Sequence, residues 1–201
     1  AFMRDMSRMR VRVVNRSALL LCMVLVFSFF LPPQLLQWQP DTITSGQWWR
    51  LFTGHLVHLN VNHLLLNLAG VLILALLFPR FLPVGRLLWI TLLMAAAISL
   101  GLLSLRPDLA SYRGFSGCIH GLAAILAMRE LKTDRWLSIT LLAALSVKLV
   151  LEGFELAGSQ TTALIGGPVI WEAHALGFAS GLLIAGAGFI RRRTPKQSSL
   201  E

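Results

Sequence analysis

The chain has 201 residues, 56% of them hydrophobic and only 13% charged, with a mean hydropathy of +0.70. A soluble domain carries about 25% charged residues, so this composition excludes an ordinary water-soluble enzyme and reads as a polytopic membrane protein whose length suits one compact bundle. The net charge of +9 is no nucleic-acid footprint, because the basic residues stand at the ends of apolar runs and no basic face with interleaved aromatics occurs.

Six apolar segments are expected, judged against the roughly 20 residues a helix needs to cross a bilayer. A basic tail over 1–16 leads into the first, about 17–37, which begins SALLLCMVLVFSFFL and breaks at Pro32-Pro33. Its basic flank mimics a signal peptide, but the apolar run is long and no A-x-A site follows, so a retained anchor is expected. The connection QWQPDTITSGQWWRLFTGHLVHL is rich in Trp and Leu without a span's length, and should lie partly in the membrane interface. The second segment, about 61–79, carries His63 and Asn67 at i and i+4 on one face. His55 and His58 precede it, yet no HExxH or cysteine cluster accompanies them, so neither a metal nor any other cofactor is expected.

The third segment, about 85–104, is apolar throughout. The fourth, about 115–129, is short and follows Gly114 into the stretch GFSGCIHG. Serine and histidine are costly in hydrocarbon unless they have partners. Ser116 and His120 lie four residues apart on one helix face, so they are expected to share a cavity. The fifth segment, about 136–155, holds Lys148 and Glu152 at i and i+4, which read as a snorkelling ion pair or, alternatively, as a contact with substrate. The sixth, about 171–190, contains WEAHALGFASG, and a basic tail over 191–201 follows. Cys22 and Cys118 fall in different segments and imply no disulfide framework.

Counting Lys and Arg between segments orients the chain. Fourteen fall on the side of the N-terminus, in both tails and around Arg80, Arg86, Arg129, Lys132 and Arg135; only Arg50, Arg106 and Arg113 fall on the other. Both termini should therefore be cytoplasmic. The fourth and sixth segments then begin outside, placing Ser116 and His174 at one depth, with His63 and Asn67 in the first turns of the second segment beside them.

Small residues at four-residue intervals let helix backbones approach closely. Ala173, Gly177 and Gly181 form one such ridge and Gly117 and Gly121 another, so docking them would bring Ser116 and His174 together as nucleophile and base. Unpaired N–H groups at the start of the Ser116 helix suit an oxyanion, and Gly114 permits the sharp turn into it.

Gly114-x-Ser116-Gly117, Ala173-His174-x-x-Gly177-x-x-x-Gly181 and His63-x-x-x-Asn67, with Trp49-Arg50 ahead of them, together resemble the signatures of rhomboid intramembrane serine proteases. The resemblance implies a six-transmembrane-helix bundle, all α, with residues 17–190 as the catalytic membrane domain. It also implies Ser116 as nucleophile, His174 as general base, and an oxyanion hole from His63, Asn67 and the Ser116 backbone N–H. His58 would hydrogen-bond and orient loops. Glu172, two residues from His174, points to another helix face, so a Ser–His dyad is expected rather than a triad.

His120 stands where rhomboids commonly carry a tyrosine, and with Tyr112-Arg113-Gly114 it is similar to the rhombosortase subgroup. That resemblance implies a bacterial inner-membrane enzyme facing the extracytoplasmic side, and single-span substrates with a C-terminal Gly-Gly, a hydrophobic helix and a basic tail. His120, Gly114, Gly117 and Gly177 would support the reacting pair. The alternatives are a general rhomboid protease of other single-span substrates and a non-proteolytic, client-binding relative. The partners expected are membrane lipid and transmembrane protein, not nucleic acid.

Overall fold

The computed structural model describes residues 15–78, 81–154, 156 and 159–193. The basic tail expected over 1–16, but for its last two residues, Arg80, and the C-terminal tail past Arg193 lie outside the described residues. Among these, the chain forms ten helices and no strand. Six are long: α1 (Arg16–Phe29), α5 (Val61–Leu77), α6 (Val84–Leu105), α7 (Ser116–Glu130), α8 (Arg135–Gly153) and α10 (Trp171–Arg193). Four are short: α2 (Pro33–Leu36), α3 (Pro40–Thr44), α4 (Arg50–Thr53) and α9 (Ser159–Ile165). By length and apolarity α6 and α8 can cross a membrane, while α1 and α5 are shorter apolar helices.

Local chemistry sets the boundaries. The first apolar segment does not continue to residue 37: α1 ends at Phe29, and the proline pair restarts the chain as α2. Pro33 occupies the first helical position, where its missing N–H would be unpaired anyway. The Asn60 side chain accepts from the His63 N–H at 2.9 Å and so caps α5. Asp134 caps α8 through the Leu137 N–H at 3.1 Å.

Helix α7 is the axis of the molecule. Ten of its fifteen residues are buried, and it packs against α5, α6, α8 and most extensively α10. Gly117, Gly121, Gly177 and Gly181 make that last contact backbone to backbone. A Cβ at Gly117 would lie 2.7 Å from the Ala173 carbonyl oxygen, and one at Gly121 would lie 2.6 Å from that of Gly177. The ridges interlock in the register expected from the four-residue spacing. Helix α8 is different. Only Ser138 and Glu152 of its nineteen residues are buried.

Candidate active site

Ser116 is the first residue of α7, and the chain reaches it through a braced turn. Trp38 and Tyr112 exchange two backbone hydrogen bonds, of 3.1 and 3.0 Å, and the Gly114 N–H donates to the Gly54 carbonyl at 3.1 Å. Arg50, 4% exposed, holds the other side of this brace by donating to the carbonyls of Gln34 and Gln37 at 2.8 and 2.7 Å. Arg113 donates to the Gln37 side chain at 2.6 Å. Burial pushes the Tyr112 phenol well above its ordinary pKa, so it stays an O–H donor, to the Gly114 carbonyl at 2.8 Å. Gly114 has φ +131°, and a Cβ there would also strike the His63 ring, 2.7 Å from Cε1 and 2.8 Å from Nε2. Glycine is required twice over. The N-cap residue Phe115 offers no side-chain cap to the N-terminus of α7.

His174 lies in the first turn of α10, and the glycine ridges bring it to Ser116. The Ser116 Oγ is 2.8 Å from His174 Nε2. On the far side of the same ring, Nδ1 is 2.8 Å from Glu152 Oε2. The expectation of a dyad is corrected here. An acid does reach His174, from α8 rather than from its own helix. Glu172 is occupied elsewhere, accepting from Arg106 at 2.8 Å. A carboxylate can only accept, so this partner assigns the proton to Nδ1 and leaves the Nε2 lone pair for the serine O–H.

Lys148 donates to the second oxygen of Glu152, as an i, i+4 pair, and also to His120 Nε2 at 3.3 Å. The His120 Nδ1–H donates to the Ser116 carbonyl at 2.7 Å, and its ring stacks on His174 with centroids 4.3 Å apart and planes 15° apart. The charged pair of α8 is therefore turned into the site. Neither sequence reading of the pair, an ion pair within the helix or a contact with substrate, put Glu152 on His174.

Ser116, His120 and His174 line a cavity of about 200 Å³ together with His63, Asn67, Lys148 and Glu152. Apolar walls come from Leu66, Ile119, Val169 and Ile170. The Asn67 amide donates one N–H to the His63 carbonyl at 2.9 Å and has a second N–H. His58 braces His63 by an edge-on ring contact, 5.1 Å between centroids, rather than by a hydrogen bond. His55 is buried away from the cavity, on the Ser99 hydroxyl at 3.0 Å. Cys118 is buried in the core.

Residues 45–191, which include every residue lining this cavity, match the model of one protein family, the Rhomboid domain. No curated protein matches the chain.

Proposed function

The chain belongs to the rhomboid family of integral-membrane serine proteases, and from that premise we propose that it is an intramembrane serine endopeptidase with Ser116 as nucleophile and His174 as general base. The observation that carries the reading is the 2.8 Å hydrogen bond between Ser116 Oγ and His174 Nε2, made across two helices inside a cavity. The serine proton passes to Nε2 as Oγ bonds to the scissile carbonyl carbon. The resulting oxyanion takes hydrogen bonds from the Ser116 backbone N–H, from Asn67 and from His63. His174 then gives the proton to the leaving nitrogen as the C–N bond breaks, leaving acyl-Ser116. Water hydrolyses that ester with His174 again acting as base.

The excess of Lys and Arg on one side of the apolar segments supports six spans with both termini cytoplasmic. Ser116 then opens toward the extracytoplasmic face of a bacterial inner membrane. For substrate, the reading is a single-span protein with a C-terminal Gly-Gly, hydrophobic helix and basic tail. A scissile segment must leave its helix to enter the cavity, and glycines ease that because they are poor helix formers. The basic tail keeps the span's C-terminus in the cytoplasm and delivers the glycines to the side where Ser116 lies. His120 in place of tyrosine, stacked on His174, supports the rhombosortase subgroup.

Co-expression of two reporters tests this, one with a Gly-Gly tail and one with a generic rhomboid-cleavable span. Ser116-dependent cleavage near the glycines is expected. Cleavage of the generic span alone keeps the protease and discards the subgroup; cleavage of neither contradicts both.

A further inference from the structure

We propose that Glu152 is a positioning residue for His174, held in place by Lys148, so that the reacting serine and histidine are aimed by an acid delivered from α8. The proposal deepens the serine-protease reading and rests on it. Glu152 Oε2 lies 2.8 Å from His174 Nδ1, with the two side chains 7% and 9% exposed. An imidazole in an apolar cavity has two neutral tautomers, and only the one protonated on Nδ1 offers Nε2 as a base toward Ser116. An acceptor fixed at Nδ1 selects that tautomer and fixes the plane of the ring.

The simpler account, an ion pair within α8, leaves half of this geometry unexplained. An i, i+4 pair needs one carboxylate oxygen, and Lys148 occupies only Oε1. A snorkelling pair would also follow the exposed face of α8, whereas Glu152 is one of that helix's two buried residues. Burying a carboxylate is unfavourable unless both oxygens are hydrogen-bonded; here they are, one to the lysine and one to the base. Lys148 in turn donates to His120, which donates to the Ser116 carbonyl. The hydrogen bonds run from the serine hydroxyl through His174, Glu152, Lys148 and His120 back to the serine's own backbone. Rotation of any one group misaligns the rest.

The test is steady-state cleavage of the reporter that wild-type cuts, with fluorophosphonate labelling of Ser116 measured in the same detergent preparation. Glu152→Gln keeps the shape of the side chain but can turn its NH₂ to Nδ1 and select the wrong tautomer. It should lower kcat and the labelling rate by up to about 10⁴-fold, the loss seen when the acid of a serine triad is altered, with KM within about threefold. Glu152→Asp should recover part of the loss, and Lys148→Met should lose less than Glu152→Gln. Wild-type rates in Glu152→Gln, with Ser116→Ala inert, would overturn the role of Glu152 and leave the protease standing. A wild-type protein that neither labels nor cleaves would remove the protease reading and this inference together. If Glu152→Gln unfolds below the assay temperature, Glu152→Asp decides. Slowed labelling at an unchanged Tm supports the proposal, and a wild-type rate overturns it.

Discussion

Two helices meet His174 in different ways. Helix α7 presents Ser116 through a backbone-to-backbone contact with α10, where a Cβ at Gly117 or Gly121 would overlap a carbonyl oxygen. Helix α8, which presents Glu152, has only two of its nineteen residues buried within the protein, against seven of twenty-two for α6. The Ser116–His174 geometry is therefore a property of the close-packed interior, in which displacement is resisted on every side. The acid's geometry is a property of one turn of a peripheral helix, held there by its own polar contacts. The contact of Ser116 with His174 is built on glycine, and that of Glu152 hangs on a helix with few buried residues.

The largest effects should come from the close-packed side. Ser116→Ala and His174→Ala should each abolish cleavage while circular dichroism still reports the full helix content. The double variant should lose no more than either single one, since members of a catalytic unit are not additive. Gly177→Val drives a side chain into the Gly117 carbonyl, which cannot swing aside as a side chain would. It should destabilise by roughly 1–3 kcal/mol or more, as overpacking does, and separate Ser116 from His174. On α8, Val147 is 58% exposed, and Val147→Ala should stay within about 0.5 kcal/mol. Thermal unfolding of the two variants in one detergent makes the comparison, and equal shifts would break it.

Asn67→Ala comes next. Losing one oxyanion donor typically lowers kcat about 10²–10³-fold, and KM should hardly move. A raised KM at wild-type kcat would place Asn67 in substrate binding instead. His120→Ala should be the mildest. Ring stacking is worth about 0.5–1.5 kcal/mol, a few-fold to about tenfold in rate. His120→Tyr should keep part of the activity, because an aromatic ring can still lie against His174. A tyrosine variant slower than the alanine variant would show that the hydrogen bond to the Ser116 carbonyl matters more than the stack.

How much of this was legible in the sequence divides along the same line. The spacing of Gly117, Gly121, Ala173, Gly177 and Gly181 states which helix faces can approach, because close approach depends on small residues at a fixed interval. Ser116 and His174 were readable as neighbours for that reason. Gly114 was readable as a turn; that His63 fills the space where its Cβ would be was not. Glu152 escaped because its role depends on the rotation of α8 about its axis, which no small-residue ridge fixes. An i, i+4 lysine offered a sufficient local explanation. The brace from Arg50 through Gln37 and Trp38 to Tyr112 was hidden for another reason: Arg50 ends on a backbone carbonyl, and the distant segments of Trp38 and Tyr112 meet through backbone hydrogen bonds, of which side-chain pattern carries no trace.

Ser116 is proposed as a nucleophile made reactive by His174, and covalent labelling tests this without knowledge of the substrate. The purified protein is treated with a fluorophosphonate and digested, and the modified residue is located by mass spectrometry. One adduct per chain is expected on Ser116 in the wild-type protein, and none in His174→Ala at the same reagent concentration. Labelling at another residue, or undiminished labelling of Ser116 in His174→Ala, would contradict it.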